Sequence, residues 1–184
     1  MIKKASKKLI VLAIAAIMAL GVGLFVGCED GSQEKIFNTE HELRAFLPQY
    51  YYFDFNLAEQ QLFSARVLLN GRNNFVAYGI AYTFASDFSE EQKNAELILS
   101  CVFGKSLNRE LTGNASVKIV DGIETIFDFV WSSESFVRVS LVFEIEGSCY
   151  NISISKDINR EQIEEFCEYV FSILAPAVEN RQKG

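Results

Sequence analysis

The chain has 184 residues, 17 basic and 24 acidic side chains, a formal net charge of −7, one histidine and four cysteines. An acidic surface repels phosphate backbones and anionic headgroups, which argues against nucleic-acid binding. Any serine, histidine and aspartate relay would have to pass through the single histidine, His41, and nothing near it in sequence suggests a nucleophile.

The chain opens with Lys3, Lys4, Lys7 and Lys8, and the 18 residues from Leu9 to Val26 carry no charge. A basic n-region followed by an apolar h-region is the pattern of an export signal. Gly21, Gly23 and Gly27 punctuate its end, and Cys28 follows. The stretch Leu24-Phe25-Val26-Gly27-Cys28 resembles the lipobox of bacterial lipoproteins, with Phe25 where that family usually has leucine. The resemblance implies a leader, residues 1–27, removed once Cys28 has gained a diacylglyceryl group. It also implies a domain held on the extracytoplasmic face of a bacterial cell membrane. Each buried methylene contributes about 0.8 kcal/mol and stable attachment takes more than one chain, which a diacylglyceryl group supplies. An uncleaved signal anchor is the alternative, because about twenty apolar residues can cross a bilayer. Both readings put the domain outside the cytoplasm. Loss of the leader removes four lysines and no acids, leaving 13 basic and 24 acidic residues and a net charge of −11.

Residues 28–37 read as the lipidated cysteine and a short polar tether, 38–176 as one globular domain, and 177–184 as a polar tail. The globular stretch, about 140 residues, is the size of a single domain. Thr39 and Glu42 form a capping box for a short helix that stops before Pro48. Tyr50 to Phe55, Leu62 to Leu69 and Phe75 to Phe84 read as strands, with Asn70-Gly71 near the turn between the last two. In the first of these, alternation puts Tyr51, Phe53 and Phe55 on one face, as core, and Tyr50 and Tyr52 on the other, as a contact patch or the site of a hydrophobic or carbohydrate-like ligand. Residues 95–103 fit both templates. Ala95, Ile98, Leu99, Val102 and Phe103 make a helical stripe with Ser89 as cap, whereas Leu97, Leu99, Cys101 and Phe103 alternate; the strand is favoured because flanking strands would pair with it.

The C-terminal half reads as an antiparallel meander. Asp121-Gly122 and Gly147-Ser148 are hairpin signals around two apolar runs, Ile123 to Trp131 and Val137 to Ile145. Matching their apolar faces sets Trp131 opposite Val137 and Ile123 opposite Ile145. The second turn then sets Ile145 opposite Tyr150 and Phe143 opposite Ile152. Lys118 falls on the apolar face of the preceding strand, which marks that strand as an edge. A helix follows, capped by Asn159 with Gln162, stapled by Ile158 and Ile163, and amphipathic through Phe166, Cys167, Val170 and Leu174 until Pro176 ends it. The expected fold is α+β: an antiparallel meander sheet with a C-terminal amphipathic helix packed on one face, in a single domain.

Cys101, Cys149 and Cys167 are too widely spread for a CxxC metal site. Cys149 and Cys167 point to opposite faces of the sheet, so free thiols acting as small apolar groups are expected. On the face away from the helix, the register places Glu124 opposite Glu144, Asp128 opposite Ser140, and Arg138 on the diagonal. Paired carboxylates can share a proton or recruit a cation, although a solvated polar side is normal for an antiparallel sheet. No phosphate-cradling glycine loop, HExxH or GxSxG occurs, and no cofactor or metal is expected. The sequence therefore points to a non-catalytic binding module, contacting an envelope protein or a small apolar ligand. The alternatives are an envelope hydrolase built on Glu124, Asp128 and Glu144, or a carrier with an apolar cavity between sheet and helix.

Overall fold

The computed structural model describes residues 32–47, 50–57, 61–86, 94–104 and 113–183. The leader, Cys28, Pro48 and Ser89 lie outside these residues. Within them the chain runs β1 (Gln33–Phe37), α1 (Glu40–Phe46), β2 (Tyr51–Tyr52), β3 (Gln61–Leu69), β4 (Phe75–Ala85), β5 (Asn94–Val102), β6 (Ser116–Val120), β7 (Ile123–Trp131), β8 (Phe136–Ile145) and β9 (Ser148–Asp157). A 3₁₀ turn (Arg160–Gln162) then leads into α2 (Ile163–Glu179), and β10 (Gln182–Lys183) ends the fold. It is an α+β domain, as expected: an eight-stranded antiparallel sheet with a C-terminal helix on one face. The strand order is β1-β3-β4-β5-β9-β8-β7-β6. Two meanders thus meet along β5 and β9, where Leu97 pairs with Ile154 and Leu99 with Ile152. Residues 94–102 are strand, because that seam gives their alternating side chains a partner on both sides.

The two tight turns of the second meander share one cause. Val120 pairs with Ile123 and Ile145 with Ser148, so Asp121-Gly122 and Glu146-Gly147 are the turn residues. All four have positive φ, at 49° and 73° in the first turn and 49° and 72° in the second, which is the turn whose twist matches paired strands. The second turn is therefore Glu146-Gly147 and not Gly147-Ser148. The glycine takes the second left-handed position and the pairing moves by two residues, setting Phe143 opposite Tyr150 and Leu141 opposite Ile152. A shift of two keeps every side chain on its expected face. The Phe143 and Tyr150 rings stack at 5.6 Å and 8°. The β7–β8 register is the expected one, with Trp131 opposite Val137 and Asp128 opposite Ser140. The edge position of β6 also holds, and Lys118 is accommodated by lying 5.0 Å over the Phe171 ring of α2.

Helix α1 begins as expected, with the Glu42 amide donating to Thr39 Oγ1 at 3.2 Å. Helix α2 does not end at Pro176: it runs on to Glu179, with Pro176 inside it and Ala177 and Val178 buried. A proline removes one backbone donor, but α2 keeps its course because Ala177 and Val178 extend the apolar stripe of Phe166, Val170 and Leu174 onto the sheet. Val139, Leu141 and Ile152 of the sheet and Phe166, Val170 and Leu174 of the helix are all 0% exposed. No water-sized void therefore borders these six side chains. The chain beyond α2 is tied down. Gln182 and Lys183 pair with Tyr52 and Tyr51, Arg181 Nη1 donates to Asp121 Oδ2 at 2.8 Å, and Lys183 Nζ donates to Glu146 Oε1 at 2.7 Å. The acidic residue of each tight turn thus holds one cation of the C-terminal segment. Residues 33–37, within the stretch read as tether, form β1 and pair with β3.

Candidate functional site

The sheet face opposite α2 carries Glu124, Asp128, Arg138 and Glu144, at different depths. Glu124 is exposed and pairs with Ile119 on the edge strand, whereas Asp128 is 1% exposed and sits opposite Ser140. Glu144 pairs with Cys149. Arg138 Nε donates to Ser155 Oγ at 3.4 Å, and Glu96, one strand further on, is the charge that bears on it. Burial pulls the Arg138 guanidinium below its ordinary range, and Glu96 opposes that shift. Among the described residues no three histidine, cysteine or acidic side chains stand close enough to hold a metal ion. The face is also less open than a solvated polar side: Ser140, Ser153 and Ser155 are buried with Asp128.

The three described cysteines are free thiols. Cys101 is buried on the helix side of the sheet, and burial pushes its thiol far above the usual range. Burial likewise raises Cys167 to about 11, with Glu164 adding to the shift. Neither has the electropositive, accessible setting of a reactive thiolate. His41 is exposed on α1.

The expected aromatic patch is differently arranged. Tyr52 is buried, and its hydroxyl donates to the Leu47 carbonyl and lies 3.2 Å from the Arg44 carbonyl, so it caps the carbonyl end of α1. Tyr50 is half-buried and stacks on Phe103 with ring centroids 4.1 Å apart. Both rings are thus occupied within the protein. Only Tyr51 and Tyr52 are strand, since the chain leaves its pairing with β10 there and turns Phe53 and Phe55 into the core.

That turn opens a cleft of about 200 Å³ lined by Glu40, Arg44, Tyr52, Phe53, Asp54, Phe55, Tyr82 and Gln182. Helix α1 supplies Glu40 and Arg44 one turn apart, with Arg44 Nε 2.9 Å from Glu40 Oε1 and the guanidinium 4.8 Å over the Tyr52 ring. Asp54 Oδ1 accepts from the Asn56 amide at 3.0 Å, an Asx turn that lets Asn56 take a positive φ of 44°. Tyr82 projects from β4 toward the same space. Its ring meets Phe55 edge-on at 6.2 Å, and the residue is 5% exposed. Burial raises the Tyr82 phenol above its ordinary range; Glu40 adds to the shift and Arg44 opposes it. Its hydroxyl has no hydrogen-bond partner among the described residues. Of this set, only the Glu40–Arg44 spacing is visible in the sequence. Tyr82 reads there as one more apolar position of β4, and Gln182 as tail.

Among the described residues no helix is long and apolar enough to cross a membrane. Compared with protein-family descriptions, with curated proteins and with solved structures, the chain finds no match.

Proposed function

We propose that the chain is an extracytoplasmic lipoprotein domain, held on a bacterial membrane by acylated Cys28 and working there by binding rather than by catalysis. The observation that carries the reading is the sequence of the leader. Four lysines, an uncharged run of 18 residues and a lipobox-like Leu24 to Cys28 stand directly before a folded domain. Two features of the domain support the binding half. The carboxylates of the sheet face are dispersed among buried and exposed positions, and the Cys101 and Cys167 thiols lie in surroundings that suppress the thiolate. The body's acidity supports a domain displayed away from the headgroups, where a partner reaches it.

The test is metabolic labelling with a fatty acid, followed by mass spectrometry of the mature N-terminus. The wild-type chain should carry label and begin at a modified Cys28, and Cys28→Ala should lose both. A mature chain beginning elsewhere with an unmodified sulfur overturns the anchor. Crosslinking on intact membranes and capture of the domain then reads the binding half, and substrate turnover by the captured material overturns it.

A further inference from the structure

The cleft beside α1 has a formal charge of −1, from Glu40 and Asp54 against Arg44. Its cation is engaged already by the Glu40 carboxylate and the Tyr52 ring, so it has little to offer an incoming anion. The acceptors are a different matter. Glu40 meets Arg44 through Oε1 alone, and Asp54 meets Asn56 through Oδ1 alone, which leaves Oε2 and Oδ2 without partners among the described residues. The Tyr82 hydroxyl joins them from a side chain more than nine-tenths buried. A tyrosine hydroxyl that reaches a cleft without a partner from its own chain keeps its lone pairs for whatever enters there.

We propose that this cleft binds the primary ammonium group of a small amine, with Glu40, Asp54 and the Tyr82 hydroxyl as its three acceptors. An –NH₃⁺ group carries three donors and no acceptor, which matches that set in number, and its charge neutralises the cleft. The volume of about 200 Å³ falls below the roughly 300–1,000 Å³ of sites that enclose whole drug-sized ligands. The cleft therefore admits the end of an aliphatic amine and its first methylenes. A free diamine and the lysine side chain of a partner present the same group. The assignment rests on the binding role proposed above and names its ligand class, but it shares no residue with the lipid anchor.

The test is an NMR titration of the ¹⁵N-labelled full chain in detergent micelles with three probes: 1,5-diaminopentane, N-acetyl-lysine methylamide and, as the uncharged control, 1-pentanol. Saturable shifts at the amides of Asp54, Phe55 and Tyr82 are expected with an amine and not with the alcohol. Saturation by the diamine alone identifies a free amine as the ligand, and saturation by the lysine derivative identifies a lysine of a partner. Tyr82→Phe, which keeps the ring, should weaken binding about tenfold, the usual loss when a hydrogen bond to a charged group is removed. Asp54→Asn should weaken it as well while leaving the Asx turn able to form. Pentanol binding as well as the amines, amine binding unchanged in both variants, or no saturable shift at millimolar amine overturns the proposal. Cys28→Ala should bind the amine as the parent does, so a failed anchor and an empty cleft are read separately.

Discussion

Replacing Pro176 by alanine should stabilise the domain. Pro176 is the fourteenth residue of the seventeen in α2, and it is exposed, so its ring buries nothing that a methyl group would have to replace. A proline there has no N–H to give the Ser172 carbonyl one turn earlier, and a proline in a helix interior costs about 3 kcal/mol relative to alanine. Two effects oppose this. Proline stiffens the unfolded chain, which is worth about 0.4–1 kcal/mol, and Ser172 is exposed, so water recovers part of the lost bond. The balance favours alanine by about 1–2 kcal/mol, or roughly 2–8 °C in Tm for a domain of this size. The end of the helix should not change, because the Asn180 amide and side chain both donate at 2.9 Å to the carbonyl of residue 176, which alanine retains. Thermal unfolding followed by far-ultraviolet circular dichroism measures the shift. A Tm equal to or below the parent's refutes the reasoning, for it would mean that the proline sets a helix geometry on which the packing of Val178 depends.

Gly147→Ala should cost about 1–2 kcal/mol by denaturant titration, because φ of 72° disfavours a Cβ although nothing lies within 4 Å of where it would stand; an unchanged midpoint would contradict the turn assigned there. The Lys183 hydrogen bond holds the Glu146 carboxyl below the usual carboxylate range, and Glu146 in turn raises Lys183. The first effect steadies the β2–β10 pair above an ordinary glutamate pKa and fades as pH falls through the lowered value. The second is present below an ordinary lysine pKa and fades as pH rises through the raised one. Amide exchange at Gln182, corrected for intrinsic rates, should therefore be slowest between these limits, and Glu146→Gln should flatten its acid limb; an identical profile in that variant would exclude the pair as the cause. Iodoacetamide at mildly alkaline pH should leave Cys101 unmodified until denaturant is added and should reach the half-buried Cys167 first, with peptide mass spectrometry as readout; rapid alkylation of Cys101 in the native chain would mean that this thiol is less buried than described.

The second meander was legible because two kinds of information overlap there. Alternation assigns the faces and tight turns assign the ends, and the β7–β8 register follows from both. The β8–β9 register departs from the sequence expectation by two residues because Glu146 is an unusual occupant of a left-handed position, and the glycine beside it takes the second place in the turn instead of the first. Pro176 misled for a related reason. Local chemistry argues for a stop, and the burial of Ala177 and Val178, which overrules it, is a tertiary fact. The amine cleft was the least legible feature. Its residues come from four separate elements between 40 and 182, and a tyrosine within an apolar alternation looks like core until the space beyond its hydroxyl is seen. The charged residues Glu124, Asp128, Arg138 and Glu144 were visible through register alone, which assigns a face but not depth.

The seam between β5 and β9 has a consequence for how the chain is made. Glu96 finds its partner at Ser155 and Val102 at Cys149, so the first half-sheet waits with an open flank until dozens of later residues have emerged. The second half-sheet is built from neighbours and can zip as it appears. Until the two join, each presents an unpaired border that another nascent copy can take up. A chain synthesised in this order depends on the late half arriving quickly, and slowing translation after residue 104 should raise misassembly more than an equal delay after residue 157.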